Sequence, residues 1–184
     1  AYATTMQIEQ KLLDRDRMNP HAARWYARAR GRVAELDALA GDLSRAKTGA
    51  EGALSMLKAA AAQISETPAL AADIGDGEMR LGAIELDLGH PEAARRALTQ
   101  AIGRYEALIL LEQKEPHWRA VLADAWALAA EADYARHAPK DARDAMEKSL
   151  ALRVKLARTD PRERWALAGA WRVRAALLAG LKDA

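Results

Sequence analysis

The chain has 184 residues, the length of one folded unit or one continuous array. Its 51% hydrophobic and 29% charged residues exclude a disordered or collagenous chain, and 28 basic against 26 acidic residues leave +2, too even a balance to mark a nucleic-acid binder. Alanine fills 45 positions and leucine 24, against four valines, six isoleucines and no phenylalanine, so helices are favoured over a β-sandwich or a doubly wound sheet.

There is no cysteine, hence no disulfide framework and no thiolate site. The longest apolar stretches, such as residues 107–111, are far short of the roughly 18 residues a membrane span needs. The chain opens at Ala1 and runs directly into Gln7-Ile8-Glu9-Gln10-Lys11 without a signal peptide's apolar region. It reads as a fragment or processed product, with the cytoplasm the preferred compartment.

The six prolines fall in two phased series. Pro20, Pro68, Pro116 and Pro161 are spaced 48, 48 and 45 apart, and Pro91 and Pro139 are again 48 apart. Such phasing is a repeat signal. Proline is tolerated at the first position of a helix, and Asn19, Thr67 and Asp160 place a capping residue before it. In chain order, residues 3–17 are predicted as the last helix of an incomplete preceding repeat. First helices follow over 21–40, 69–88, 117–136 and 162–181, with second helices over 43–65, 91–113 and 140–158. Gly41 and Gly89 mark the turns between halves. Small residues recur in phase at Ala34/Gly82/Ala130 and Ala46/Ala94/Ala142, where two helices can approach closely; Leu36, Ile84, Leu54 and Ile102 are expected to fill the seams. Gly75 and Gly77 are expected to weaken or kink the second repeat's first helix, by about 1 kcal/mol each.

The pattern of Ala34, seven positions, Gly41, a short polar turn and Ala46, echoed from Gly82 to Ala94, resembles the tetratricopeptide repeat. Pro116-His117-Trp118 followed by Leu122, Trp126, Ala130 and Ala142 resembles a longer bacterial version. The family's usual aromatic is replaced by Asp37, Glu85 and Asp133, and its 34-residue period by about 48. The resemblance implies an all-α, right-handed solenoid of antiparallel hairpins with seven to eight helices. The whole of 1–184 is then one repeat domain: repeats at 20–67, 68–115 and 116–160, and a capping helix in 161–184. It also implies a non-enzymatic scaffold for a protein or peptide, part of a larger signalling or regulatory protein. Carried over position by position, the family's concave face comprises Arg28, Glu35, Met79, Leu86, Glu131, Tyr134 and Arg172. Two other readings compete: a sensory domain enclosing a small ligand, hinted at by Gly75 and Gly77, and an oligomerising spacer presenting Leu177, Leu178 and Leu181.

The acids at Asp37, Glu85 and Asp133 each precede a base by ten residues, at Lys47, Arg95 and Arg143. They are read as one partly shielded ion pair within each repeat, contributing about 0–1 kcal/mol, with a partner-binding charged ladder as the alternative. No catalytic, cofactor-binding or metal-binding set is expected. His21, His90, His117 and His137 fall at helix ends without a ligand motif, and Glu112, Glu115 and His117 offer at best a weak ion site. Asp73, Asp76 and Glu78 lack the spacing of a calcium loop. Arg24, Arg28, Arg30 and Arg32 are read as spread around a solvated helix, as are the bases between Arg153 and Arg174. Trp126 and Trp171 recur in phase as packing positions, while Trp25, Trp118 and Trp165 follow the proline loops and are expected to cover repeat ends.

Overall fold

The computed structural model describes residues 11, 14, 19–64 and 67–180, without the side chains at 176–178 and 180. The helix expected over 3–17 lies outside these residues except for Lys11 and Asp14, which are helical. The leucine face at 177, 178 and 181 lies outside them as well.

The phased prolines start helices as their chemistry demands. The side chains of Asn19, Thr67 and Glu115, 48 residues apart, accept hydrogen bonds from the backbone N–H of Ala22, Leu70 and His117 at 2.9, 3.2 and 3.4 Å, so each caps a helix whose next residue is proline. These begin α1 (Pro20–Leu39), α3 (Pro68–Asp87) and α5 (Pro116–Ala135). The intervening helices are α2 (Leu43–Gln63), α4 (Pro91–Leu111) and α6 (Pro139–Leu156). Asp42 caps α2 through the N–H of Arg45, whereas α4 and α6 begin on Pro91 and Pro139 with no side-chain cap. The last helix, α7, runs Glu163–Gly180 and starts just after Pro161. The described residues are all-α, with seven helices placed within a few residues of the predicted bounds.

The first helices α1, α3 and α5 end in the same backbone reversal. Gly41, Gly89 and His137, 48 residues apart, have φ of 85°, 74° and 56°. At Gly41 the following N–H of Asp42 returns to the Asp37 carbonyl at 2.9 Å, and at His137 the N–H of Ala138 returns to Asp133 at 2.9 Å, a Schellman closure in both repeats. A Cβ at Gly41 or Gly89 would meet nothing within 4 Å, so the left-handed backbone alone explains glycine there. His137 adopts it at a cost. His137→Gly is expected to stabilise the fold by about 1 kcal/mol, and Gly41→Ala to destabilise it by a similar amount. Denaturant midpoints of the two variants check both signs.

Two compact units divide between Leu88 and Gly89. In the first, α2 packs against both α1 and α3, and α1 also touches α3. Ala27, Ala53, Leu54, Leu57, Leu70 and Ile74 form one apolar cluster, and Ala34, Ala46, Ala50 and Ile84 another. In the second unit α5 packs against α4 and α6, and α7 packs against α6; its buried side chains include Leu98, Ile102, Tyr105, Leu122, Met146 and Leu150. The in-phase small residues are buried, Ala46 and Ala94 completely.

Three expectations about packing are corrected. Leu36 is 54% exposed and fills no seam, unlike its in-phase counterpart Ile84. The helix α3 runs unbroken through Gly75 and Gly77, both buried. A Cβ at Gly77 would stand 3.2 Å from Leu54 Cδ1, so this glycine serves the close approach of α2 to α3 rather than mobility. The tryptophans divide differently as well. Trp126 is half-buried under the Lys148 ammonium, 4.1 Å from the ring centroid, but in-phase Trp171 is exposed, as are Trp25 and Trp165. Trp118 does close a loop end, donating its indole N–H to Glu112 at 2.7 Å.

Candidate functional site

Charged side chains organise both units. Acids and bases pair as the sequence pattern suggests, but with other partners. Lys47 on α2 meets Glu85 on α3 at 2.7 Å, and Arg95 on α4 meets Asp133 on α5 at 3.0 Å. Each bond therefore joins a second helix to the first helix of the following repeat, 38 residues on, rather than closing its own hairpin. The hydrogen bond to Glu85 raises the Lys47 ammonium above its ordinary pKa. Asp37 pairs instead with Arg45 across its own turn at 3.2 Å. Glu85 and Asp133 are buried, so they are shielded more than expected, while Asp37 is partly shielded but takes Arg45 in place of the expected Lys47.

A cleft of about 290 Å³ opens between α1 and α3. Ala27, Ala29, Ala53, Leu57 and Gly77 line its apolar part; Trp25, Arg28, Arg32, Asp73, Asp76 and Arg80 line its polar part. Small residues on α1 explain the space. A Cβ at Gly31 would fall 2.7 Å from Arg80 Nη1, so glycine is what admits the Arg80 side chain against α1. From there Arg80 donates through Nε and Nη2 to Glu35 Oε1, both at 2.8 Å. Arg32 donates to both oxygens of the same carboxylate at 3.1 and 2.8 Å. Two turns before Arg32 on α1, Arg24 donates through Nε to Asp73 at 2.5 Å and through Nη2 to the Ala69 carbonyl at 3.2 Å. Arg28 approaches Asp73 at 3.4 Å and stacks over the Trp25 ring at 4.6 Å. The α1 arginines are thus not spread evenly: Arg24, Arg28 and Arg32, at intervals of four, form one stripe, while Arg30 turns away to lie where a Cβ at Gly52 would be.

Burial disfavours the Glu35 carboxylate, but hydrogen bonds and positive charge from Arg32 and Arg80 outweigh it and hold its pKa below the ordinary value. A lowered folded-state value means that ionised Glu35 stabilises the fold above the ordinary carboxylate range and loses that contribution as pH falls through the lowered value. The thermal stability gap between the natural chain and Glu35→Gln is therefore expected at neutral pH and should close in acid. A gap that persists in acid would make Glu35 a packing residue.

Of the residues carried over as a concave face, Arg28 lines this cleft and Glu35 belongs to its arginine network. Met79 and Leu86 are half-buried on α3 outside the lining. Glu131 and Tyr134 are exposed one turn apart on α5, and Arg172 is exposed on α7. Sequence reasoning missed Trp25, Arg32, Asp73 and Arg80 as cleft residues. The four-residue spacing of Arg24, Arg28 and Arg32 was the available signal; Arg80 had none, because its position depends on Gly31 in another helix.

A second cavity, about 770 Å³, lies in the other unit among Glu115, His117, Leu156, Thr159, Asp160, Arg162 and Glu163. Its acids are already engaged: Asp160 by Arg162, whose hydrogen bonds lower the Asp160 pKa, and Glu163 by Arg153 at 2.8 Å. Among the described residues no group of three or more His, Asp or Glu side chains is placed to hold a metal ion, and no helix is long and apolar enough to cross a membrane. No family model and no curated protein matches the chain.

Proposed function

We propose that this chain is a non-enzymatic helical repeat scaffold of tetratricopeptide type that binds a protein or peptide segment, as part of a larger signalling or regulatory protein. The observation that carries the reading is the α1–α3 cleft. Two first helices of successive repeats leave between them a groove whose walls are charged and whose depth is apolar, the combination that gives a bound segment both register and burial. The in-phase caps, left-handed turns and inter-repeat ion pairs support the repeat assignment, because each is the same device at the same repeat position. The sensory alternative loses its motivation with Gly77, which is packed.

Selection of peptides from an unbiased display library on the full chain tests this reading. Recovered peptides should bind saturably and lose affinity when Arg28 is reversed to glutamate. A library that yields no binder would remove the scaffold function.

A further inference from the structure

The four guanidinium groups around the cleft are not equivalent. Arg24 and Arg80 are the more buried two, and each has a short, direct bond to a carboxylate, Asp73 and Glu35 respectively. Arg28 and Arg32 reach the same acids from solvent-facing positions, Arg32 through one bond as short as those of Arg80. Arg28 is 44% exposed with only the long 3.4 Å contact to Asp73, and Arg32 is 51% exposed and shares Glu35 with Arg80. Each acid thus bridges an anchored arginine and an outward one.

The outward two lie one helical turn apart on one stripe of α1, about 6 Å along the axis. Trp25 precedes them and Leu36 follows them along that face, both about half exposed. Stacking on Trp25 restrains the Arg28 side chain, so little conformational freedom is lost when it takes a new partner. From this juxtaposition we infer that the α1 face binds an acidic, amphipathic segment of a partner protein. Two of its carboxylates, about 6 Å apart, engage Arg28 and Arg32, and an apolar residue covers Leu36. That separation is the spacing of residues four apart in a helix or two apart in an extended strand. Charge favours this occupant: four guanidinium groups surround three carboxylates, and two of those carboxylates are already shared. The flanking Trp25 and Leu36 favour a segment with apolar side chains over a nucleic acid, which would need basic groups on a wider face.

The inference rests on the scaffold reading and is tested separately from it. The probe is a fluorescent helical peptide with two glutamates one turn apart and a leucine a turn beyond, with its glutamine counterpart as control; binding to the full chain is followed by anisotropy. The glutamate peptide should bind saturably, the glutamine peptide weakly. Arg28→Glu and Arg32→Glu should each weaken binding by tenfold or more, and added salt should weaken it further. Arg143→Glu, at an exposed arginine on α6, should leave it unchanged. Circular dichroism confirms folding, with Arg28→Gln substituting if the reversal unfolds the chain. Equal binding of the two peptides, or equal loss in Arg143→Glu, overturns the inference. Self-association of the chain abolished by Arg28→Glu overturns it in favour of a second copy. Display-selected peptides that bind without acidic residues would sink the acidic partner and leave the scaffold standing; no selected peptide would sink both.

Discussion

Asp133→Ala is expected to destabilise the chain by about 2–3 kcal/mol, several times what an exposed ion pair contributes. Asp133 is 1% exposed and receives both Nε of Arg95 from α4 and Nη1 of Arg136 from its own turn, at 3.0 and 2.9 Å. Its backbone carbonyl also closes the Schellman turn by accepting from Ala138. Removing the carboxylate leaves two guanidinium groups facing each other beside a buried site. Both are partly exposed and recover some hydration, which keeps the cost below the 3–5 kcal/mol typical when a buried pair loses one member. A double-mutant cycle with Arg95→Ala should show strong coupling. Asp37→Ala, which removes only the contact to exposed Arg45, should cost less than about 0.5 kcal/mol. Similar losses at Asp37 and Asp133 in chemical denaturation would mean that the bonds between repeats add nothing beyond those within a turn.

Much of the fold was legible because it depends on local chemistry. A capping residue before proline starts a helix and a glycine past its end stops it, whatever lies elsewhere in the chain. His137 shows the limit: the 48-residue phase locates the turn, but not the backbone conformation that histidine accepts there. The ion pairs show another. Residues ten apart across a tight turn look like natural partners, yet Lys47 and Arg95 each reach a following helix, a choice made by how neighbouring helices pack. Leu36 and Ile84 share a phase and differ in exposure for the same reason: Ile84 meets Ala46 and Ala50 of the preceding second helix. The cleft was the least legible part. Arg28 was named from family positions, but its setting is made by Gly31, Arg80 and Asp73, whose meeting is tertiary.

Tyr105→Ala is expected to cost the most of any substitution named here, about 3–5 kcal/mol by analogy with other large buried aromatics. Tyr105 is the largest fully enclosed side chain among the described residues, and no buried polar side-chain atom among them is left without a hydrogen-bond partner, so its hydroxyl must be held as well. The repeat makes the position informative. Leu57, Tyr105 and Arg153 occupy the same phase on α2, α4 and α6, and all three are buried. In the first unit the place is filled by a leucine that also lines the cleft. At Arg153 it is filled by a cation that bonds Asp124 on α5 and Glu163 on α7. A place that accepts leucine, tyrosine or a compensated arginine selects for volume first and polarity second. Tyr105→Leu should therefore retain most of the stability that Tyr105→Ala loses. Arg153→Leu should cost less than Asp133→Ala, about 1–2 kcal/mol, since Asp124 is more than half exposed and can hydrate while Glu163, 20% exposed, recovers only part of its hydration. Equilibrium unfolding of the three variants separates the outcomes. A small loss in Tyr105→Ala would show that the helices collapse around the vacated space, and a large loss in Arg153→Leu would make the ionic bridge to α7, rather than volume, the requirement at this position.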